Sequence, residues 1–297
     1  MDNDASIVTG GQFGLIGAGK VGTVLAAAMM RAGYALTHIC EPAESAIAAS
    51  RNFLGMVPLA RSLSDVVISS KLALIAVPDD RLKSLVGALA AQDISWRGRT
   101  VVHVSGRYGH RILGPLETLG ANCLAIHPAM AFAGDPQTDL DRVPGARFAV
   151  SGSDMATHEW GVSLVLSIGG VPLSIAEEER VLYHAALAHG SNHLVTLVIQ
   201  ATEMLLAAGV AEPASLLRPL LRAALENALQ RGAAGATGPV VRGDAGTVSA
   251  HLFELSRRLP GTVSTYRTLS VAALSIAQIA GRISEEQSAA VKAALFD

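Results

Sequence analysis

Three glycines at fixed spacing constrain this chain more than anything else in it. Phe13-Gly-Leu-Ile-Gly17-Ala-Gly19-Lys-Val-Gly22 sets G-x-G-x-x-G directly after an apolar run and directly before a helical pattern. At a strand-to-helix junction the first glycine makes the tight turn and the second lets a ligand approach the backbone. The third lets helix pack closely on strand. Gly17, Ala18, Gly19, Lys20, Val21 and Gly22 therefore read as a cradle for a pyrophosphate at a helix N-terminus, where free N–H groups and the dipole favour negative charge. Glu41 follows the next apolar run, 19 residues after Gly22. A carboxylate there grips the ribose hydroxyls of NAD and repels the extra phosphate of NADP; a solvated loop acid is the alternative.

The surroundings of the loop fit that reading. Short apolar runs at 13–16, 35–39, 72–77, 100–104 and 123–126 alternate with helical patterns near 20–32, 43–53, 79–91 and 109–119. This is the signature of βαβ units and a parallel sheet. Two further strands are expected at 147–151 and 171–175, around a helix starting near Asp154. In an open parallel sheet the ligand groove follows the carboxyl ends of the strands. That line passes through Val77 and Pro78, then Ser105 and Gly106, then His127 and Pro128. Asp79 and Asp80 read better as helix N-caps than as ligand contacts.

Beyond Ser174 no strand is expected. Ser174 and Glu177 form an S-x-x-E capping box, predicting a helix from there to about Leu206. Pro213 opens a second helix that Gly232 ends and that Pro219 should kink or divide. A Gly/Ala-rich loop, 232–246, leads to helices near 247–258, 262–281 and 284–295, the last with a second capping box, Ser284 and Gln287. The fold class is thus an α/β Rossmann dinucleotide-binding domain (1–172) followed by an all-α domain (173–297) for substrate and dimerisation.

Composition excludes several classes. With 50% hydrophobic and 16% charged residues, the chain is neither disordered nor highly charged. A net charge of −2 and no basic run leave nucleic acid and anionic membranes without an electrostatic handle. Cys40 and Cys123 lack metal-ligand spacing, and so few cysteines fit a reducing, cytoplasmic compartment. The opening MDNDASIVTGGQ is acidic and polar, unlike a signal peptide. Val181–Thr202 has no formal charge and could span a bilayer, but its three histidines, Asn192 and Gln200 are costly in lipid. It reads as a buried helix of a soluble protein.

The motifs taken together resemble a known family. They are the glycine loop, Ala76-Val-Pro-Asp79, His103-Val-Ser-Gly106, Ile126-His-Pro128, Tyr183-His184 with Ser191-Asn192, and Gly238-Pro-Val-Val-Arg-Gly-Asp244 with His251. In this order they resemble the Rossmann-plus-helical family whose second half is called domain of unknown function 2520. That family lies in the phosphogluconate-dehydrogenase-like superfamily and is related to ketopantoate reductases. The resemblance implies an NAD(P)-dependent oxidoreductase with its site between the two domains. Relatives carry a lysine four residues before an asparagine on the first long helix. Here the asparagine is Asn192 and the earlier position is Ala188. Glu41 likewise departs from the Ser/Arg pattern of NADP-using relatives.

Reducing a carbonyl needs a hydride donor, a proton donor and anchors for the substrate. At 100° per residue His184 and Ser191 share one helical stripe, with Asn192 beside it. His184 is a candidate acid in place of the lysine or, alternatively, a structural histidine; Ser191 and Asn192 are candidate anchors. His127 is the second candidate acid, unless it only shapes a loop with Pro128. Arg242 can clamp a carboxylate or phosphates, oriented by Asp244; otherwise the two form a local ion pair and Asp244 caps the next helix. His189 and His193 lie four apart but lack a third ligand, so no metal is expected. Three functions follow: a reductase of small 2-keto acids using NAD(P)H, an imine reductase of the pyrroline-carboxylate type, or a dinucleotide-binding sensor without catalysis. Apolar helices exceeding what one Rossmann face covers predict a homodimer through the helical half.

Overall fold

A computed structural model of the chain describes residues 10–296. The acidic N-terminal stretch read above lies, over residues 1–9, outside the described residues. The strands are β1 (Gln12–Ile16), β2 (Ala35–Cys40), β3 (Leu72–Ile75), β4 (Thr100–His103), β5 (Asn122–Pro128), β6 (Arg147–Gly152) and β7 (Val171–Ser174). The helices among them are α1 (Lys20–Arg31), α2 (Glu44–Leu54), α3 (Leu63–Ile68), α4 (Asp79–Ala90), α5 (Gly114–Thr118), α6 (Pro136–Asp141) and α7 (Met155–Ser167). Then follow α8 (Arg180–Ala207), α9 (Pro213–Arg231), α10 (Pro239–Arg242), α11 (Ala245–Arg258), α12 (Val263–Ile279) and α13 (Glu285–Phe296).

The seven strands form one sheet in the order β2-β1-β3-β4-β5-β6-β7. The first five run parallel, β6 is antiparallel to β5, and β7 is parallel to β6. Helices cover both faces, so the inner strands are buried on both sides and read as unbroken apolar runs. All of Leu72–Ile75 is buried, whereas edge strand β2 is only partly so. Two apolar clusters result, one with Phe13, Met29 and Phe148, the other with Ile75, Leu82 and Trp96.

The chain divides into two compact units, one running to Ser191 and the other from Asn192. The division falls inside α8. The second unit has no strand among the described residues, and its core is small: Val240, Val248, Leu252, Leu274, Val291 and Leu295. A Rossmann-like sheet followed by helices is the fold expected from the sequence.

Several local expectations need correction. Glu177 does not close a capping box on Ser174; residues 177–179 form a 3₁₀ turn and α8 begins at Arg180. The carboxylate is used elsewhere, accepting from the Arg111 N–H at 2.8 Å. Pro219 does not divide α9, which continues from Pro213 to Arg231. Asp79 and Asp80 are not caps: they occupy the first turn of α4 behind Pro78, which offers no side-chain acceptor. The helix α8 is not buried within the chain. Of its 28 residues only Arg180 is buried, since its apolar residues are spread around the axis and Val181, Leu182, Val195 and Ile199 stay exposed. No helix among the described residues is long and apolar enough to cross a membrane. The capping box at Ser284 and Gln287 forms in both directions, each at 3.1 Å.

Candidate functional site

The three loop glycines have three different reasons to be glycine. Gly17 sits at φ 92°, and a Cβ there would lie 2.5 Å from the Ala76 carbonyl oxygen. At Gly22 a Cβ would come within 2.1 Å of the Gly17 carbonyl oxygen, so this glycine seats α1 on the sheet. At Gly19 a Cβ would meet nothing within 4 Å. That open side faces away from the protein's own packing, as a backbone approached by a ligand requires. Gly19 is also the N-cap of α1; no side chain caps this helix end, and its first turn has no acid. The loop is anchored from behind. The Gly17 N–H donates to the Cys40 carbonyl at 2.9 Å, and Glu41 accepts from Ala18 N–H at 2.8 Å and Ala43 N–H at 3.0 Å.

A groove of about 450 Å³ opens at the carboxyl ends of the inner strands. The glycine loop supplies Gly19, Lys20 and Val21; Val77, Pro78 and Asp79 follow β3; Ser105 and Gly106 follow β4; His127 and Pro128 end β5; His184 comes from α8. Met130 and Phe132 add an apolar wall. Its volume and mixed lining suit a small-molecule site. Of the residues singled out from sequence, His127, His184, Ser105, Gly106, Lys20, Val21, Val77 and Pro78 thus meet in one place. Ser191 lies exposed farther along α8 and does not line the groove.

Behind the groove lies a polar layer. His103 is fully buried, and its tautomer follows from its partners. Nδ1 accepts from the Ser105 N–H at 3.1 Å, so Nε2 carries the proton and donates to the Gly109 carbonyl at 2.9 Å. That imidazole holds the turn carrying Ser105 and Gly106. Burial lowers its pKa to about 4, with the Gly109 bond opposing and Arg180 and His110 assisting. His127 is pushed down further, to about 3, by burial first and then by the neighbouring His184, Arg180 and His103. It is a neutral imidazole across the physiological range, which removes it as an imidazolium acid.

His127 Nδ1 lies 3.0 Å from the Tyr183 hydroxyl. Its ring stands edge-on to those of Tyr183 and His184, with centroids 5.6 and 5.7 Å away. Gly106 makes room for this pair, because a Cβ there would lie 2.7 Å from His127 Nε2 and 2.6 Å from His184 Cδ2. Arg180, one turn before Tyr183 on α8, is fully buried. Its Nη2 reaches the Ser151 hydroxyl at 3.2 Å, and Nε and Nη1 have no partner. Tyr183, Arg180 and His103 complete a cluster that the sequence reading left out of its candidate residues. Tyr183 and His103 stood in the motifs; nothing in the spacing showed that they back the groove.

The remaining candidates belong to the second unit. Asn192 is exposed on α8, and Arg242 is exposed at the end of α10. Asp244 caps α11, accepting from Thr247 N–H at 3.0 Å and its hydroxyl at 2.7 Å. Those bonds hold its carboxyl below the usual range. His251 pairs with the Tyr266 hydroxyl at 2.8 Å.

Known proteins agree with this architecture. Residues 5–128 match the model of a Rossmann-like domain, and residues 146–273 match that of a domain of unknown function, DUF2520. The chain carries both domains. No curated protein matches the chain. Among solved structures, a Bacteroides fragilis protein provisionally described as an NADP oxidoreductase is 19% identical with a TM-score of 0.77, covering 91% of this chain and all of its own. A reductive aminase from Aspergillus terreus, solved with NADPH and ethyl-5-oxohexanoate, is 18% identical at a TM-score of 0.63 over 96% of this chain and 99% of its own. A 1-pyrroline-5-carboxylate reductase from Streptococcus pyogenes is 16% identical at 0.58, over 91% and 98%. At such identities these likenesses establish a shared fold.

Proposed function

We propose that the chain is an NAD(P)-dependent reductase of a small 2-keto acid, ketopantoate being the first to try. The observation that carries this reading is the glycine loop: an uncapped helix end, open space at Gly19, and a groove leading from it to two histidines. The residues fit a dinucleotide. Ala18 to Gly22 would hold its pyrophosphate, Glu41 its adenosine ribose, and Val77, Pro78, Ser105 and Gly106 its nicotinamide half. A reduced nicotinamide supplies a hydride. Glu41, already fixed by two backbone N–H groups, favours NAD over NADP because a carboxylate repels a 2′-phosphate. His184 and His127 face the reacting part of the groove. We assign Ser191, Asn192 and Arg242 to substrate anchoring, on the strength of the family motifs, with Asp244, besides capping α11, orienting Arg242, and with residues 1–172 serving the cofactor and 173–297 the substrate.

A second reading, imine reduction, is favoured by one observation. His127 stays neutral, and an iminium that arrives already protonated asks less of the protein. The solved reductive aminase and pyrroline-carboxylate reductase show that this fold serves such chemistry in other proteins.

We also propose a homodimer formed through the helical half. Leu216, Leu220, Leu225 and Leu229 of α9 and Ile276 and Ile279 of α12 are exposed in the single chain, a load of apolar surface that a second copy would cover. Incubating the protein with NADH or NADPH and parallel panels of keto acids and cyclic imines tests the reductase. Turnover of keto acids supports it, turnover of imines alone selects the second reading, and cofactor binding without turnover of either leaves the sensor.

A further inference from the structure

The groove holds two histidines, and neither the missing lysine nor a charged His127 supplies a proton. The geometry points to Tyr183 as the source. We propose that the Tyr183 hydroxyl donates to His127 Nδ1, fixing the tautomer that presents Nε2–H to the groove, and that the pair relays a proton to the substrate.

Three observations support the direction of the hydrogen bond. The hydroxyl proton of Tyr183 needs an acceptor, and Nδ1 of His127 at 3.0 Å is one. A proton on Nδ1 instead would point at the hydroxyl oxygen and leave the phenolic hydrogen to find another acceptor. Nε2 lies against Gly106, where a Cβ would come within 2.7 Å of it, so only glycine lets the ring keep this place in the groove lining. Finally, burial raises the Tyr183 pKa, so the phenol keeps its proton and is the donor of the pair, and the Arg180 guanidinium, with two nitrogens unpartnered, opposes that rise and would steady a phenolate.

The proton balance closes. In carbonyl reduction the substrate carbon gains a hydride and the C=O electron pair moves onto oxygen; in reduction of an imine that arrives unprotonated it moves onto nitrogen. That atom takes the Nε2 proton of His127, while Nδ1 takes the hydroxyl proton of Tyr183. The imidazole stays neutral, now as the other tautomer, and the phenolate is left beside the Arg180 cation. A water proton delivered to Nε2 from the groove, with return of the Nδ1 proton to the phenolate, resets the pair. A neutral imidazole acting in this way is consistent with a ring that burial, first, and the Arg180 cation among its neighbours keep uncharged.

The relay rests on the reductase reading for its substrate but not for its geometry, so the test has two arms. The first is ¹⁵N NMR of histidine-labelled full chain at pH 6–8, with His127 assigned by loss of its signals in His127→Asn. Expected is a neutral ring with Nε2 protonated and Nδ1 shifted by an accepted hydrogen bond, a shift that relaxes in Tyr183→Phe. A proton on Nδ1, or an Nδ1 signal that Tyr183→Phe leaves unmoved, overturns the relay whether or not the protein turns anything over. The second arm uses a substrate that the wild type reduces. Tyr183→Phe should lower kcat by about 10²-fold with KM and dinucleotide affinity retained. The proton inventory should change from two protons in flight to one, and Tyr183→Phe should add nothing to His127→Asn. Full kcat in Tyr183→Phe contradicts the relay alone; a wild type that binds dinucleotide yet reduces no carbonyl or imine contradicts the reductase reading.

Discussion

The sheet and the helices from α8 onward contain apolar residues in plenty but use them differently. Leu74 in β3 is 1% exposed, whereas Leu229 in α9 is 74% exposed. In the sheet every inner strand has helices on both faces, so each apolar side chain finds a partner within the chain. In the helical part the apolar residues outnumber the inward positions. The sheet thus has its apolar residues covered by the chain's own helices, while the helical part leaves many of its own exposed. The same contrast separates the site residues: those on strand ends converge on one groove, and those on helices and loops of the second unit are exposed or spent on capping.

Glycine substitutions sharpen the contrast most. Gly22→Ala puts a methyl 2.1 Å from the Gly17 carbonyl oxygen and should cost at least about 3 kcal/mol or prevent folding. Gly19→Ala meets nothing and should change stability by only about 0.5 kcal/mol. Denaturant titration reads both. Next in size, Leu74→Ala should cost about 2–5 kcal/mol, and Leu229→Ala, assayed at high dilution, about 0.5 or less. Equal costs would break the comparison.

Acid should attack the sheet first. His103 and His127 have folded pKa values of about 4 and about 3, against 6.5 for the free side chain. Below pH 6.5 the unfolded chain binds protons that the folded chain refuses, so stability is complete above that pH and declines as pH falls through the window. His103 alone accounts for about 3 kcal/mol between pH 6.5 and 4, and His103→Asn should flatten the profile there. A smaller effect than the loss of His103 concerns cofactor choice. Removing the carboxylate in Glu41→Ser should shift the NADH-to-NADPH affinity ratio about tenfold toward NADPH, read by fluorescence titration.

Legibility from sequence follows the same division. Buried parallel strands such as Leu72–Ile75 announce themselves as continuous apolar runs, and the glycine loop announces the α1 junction. Two short helices did not show through hydrophobic period, although Ser62 with Asp65 and Asp135 with Pro136 were usable start signals. Helix α8 was recognisable as a helix but not as an exposed one, because its apolar residues give no facing direction. Ser174 and Glu177 had capping-box spacing, but a tertiary acceptor role at Arg111 took the carboxylate. His127 and Tyr183 are 56 residues apart, and no local pattern links residues at that distance. Their pairing exists only because β5 ends where the first turn of α8 passes.

The central claim is that a nicotinamide dinucleotide rests on the loop from Gly17 to Gly22, and isothermal calorimetry of the intact protein tests it most directly. NADH should bind at a single saturable site, more tightly than NADPH, and Gly19→Val should abolish the heat while the protein remains folded. No heat with either nucleotide, or unchanged binding in Gly19→Val, would contradict it.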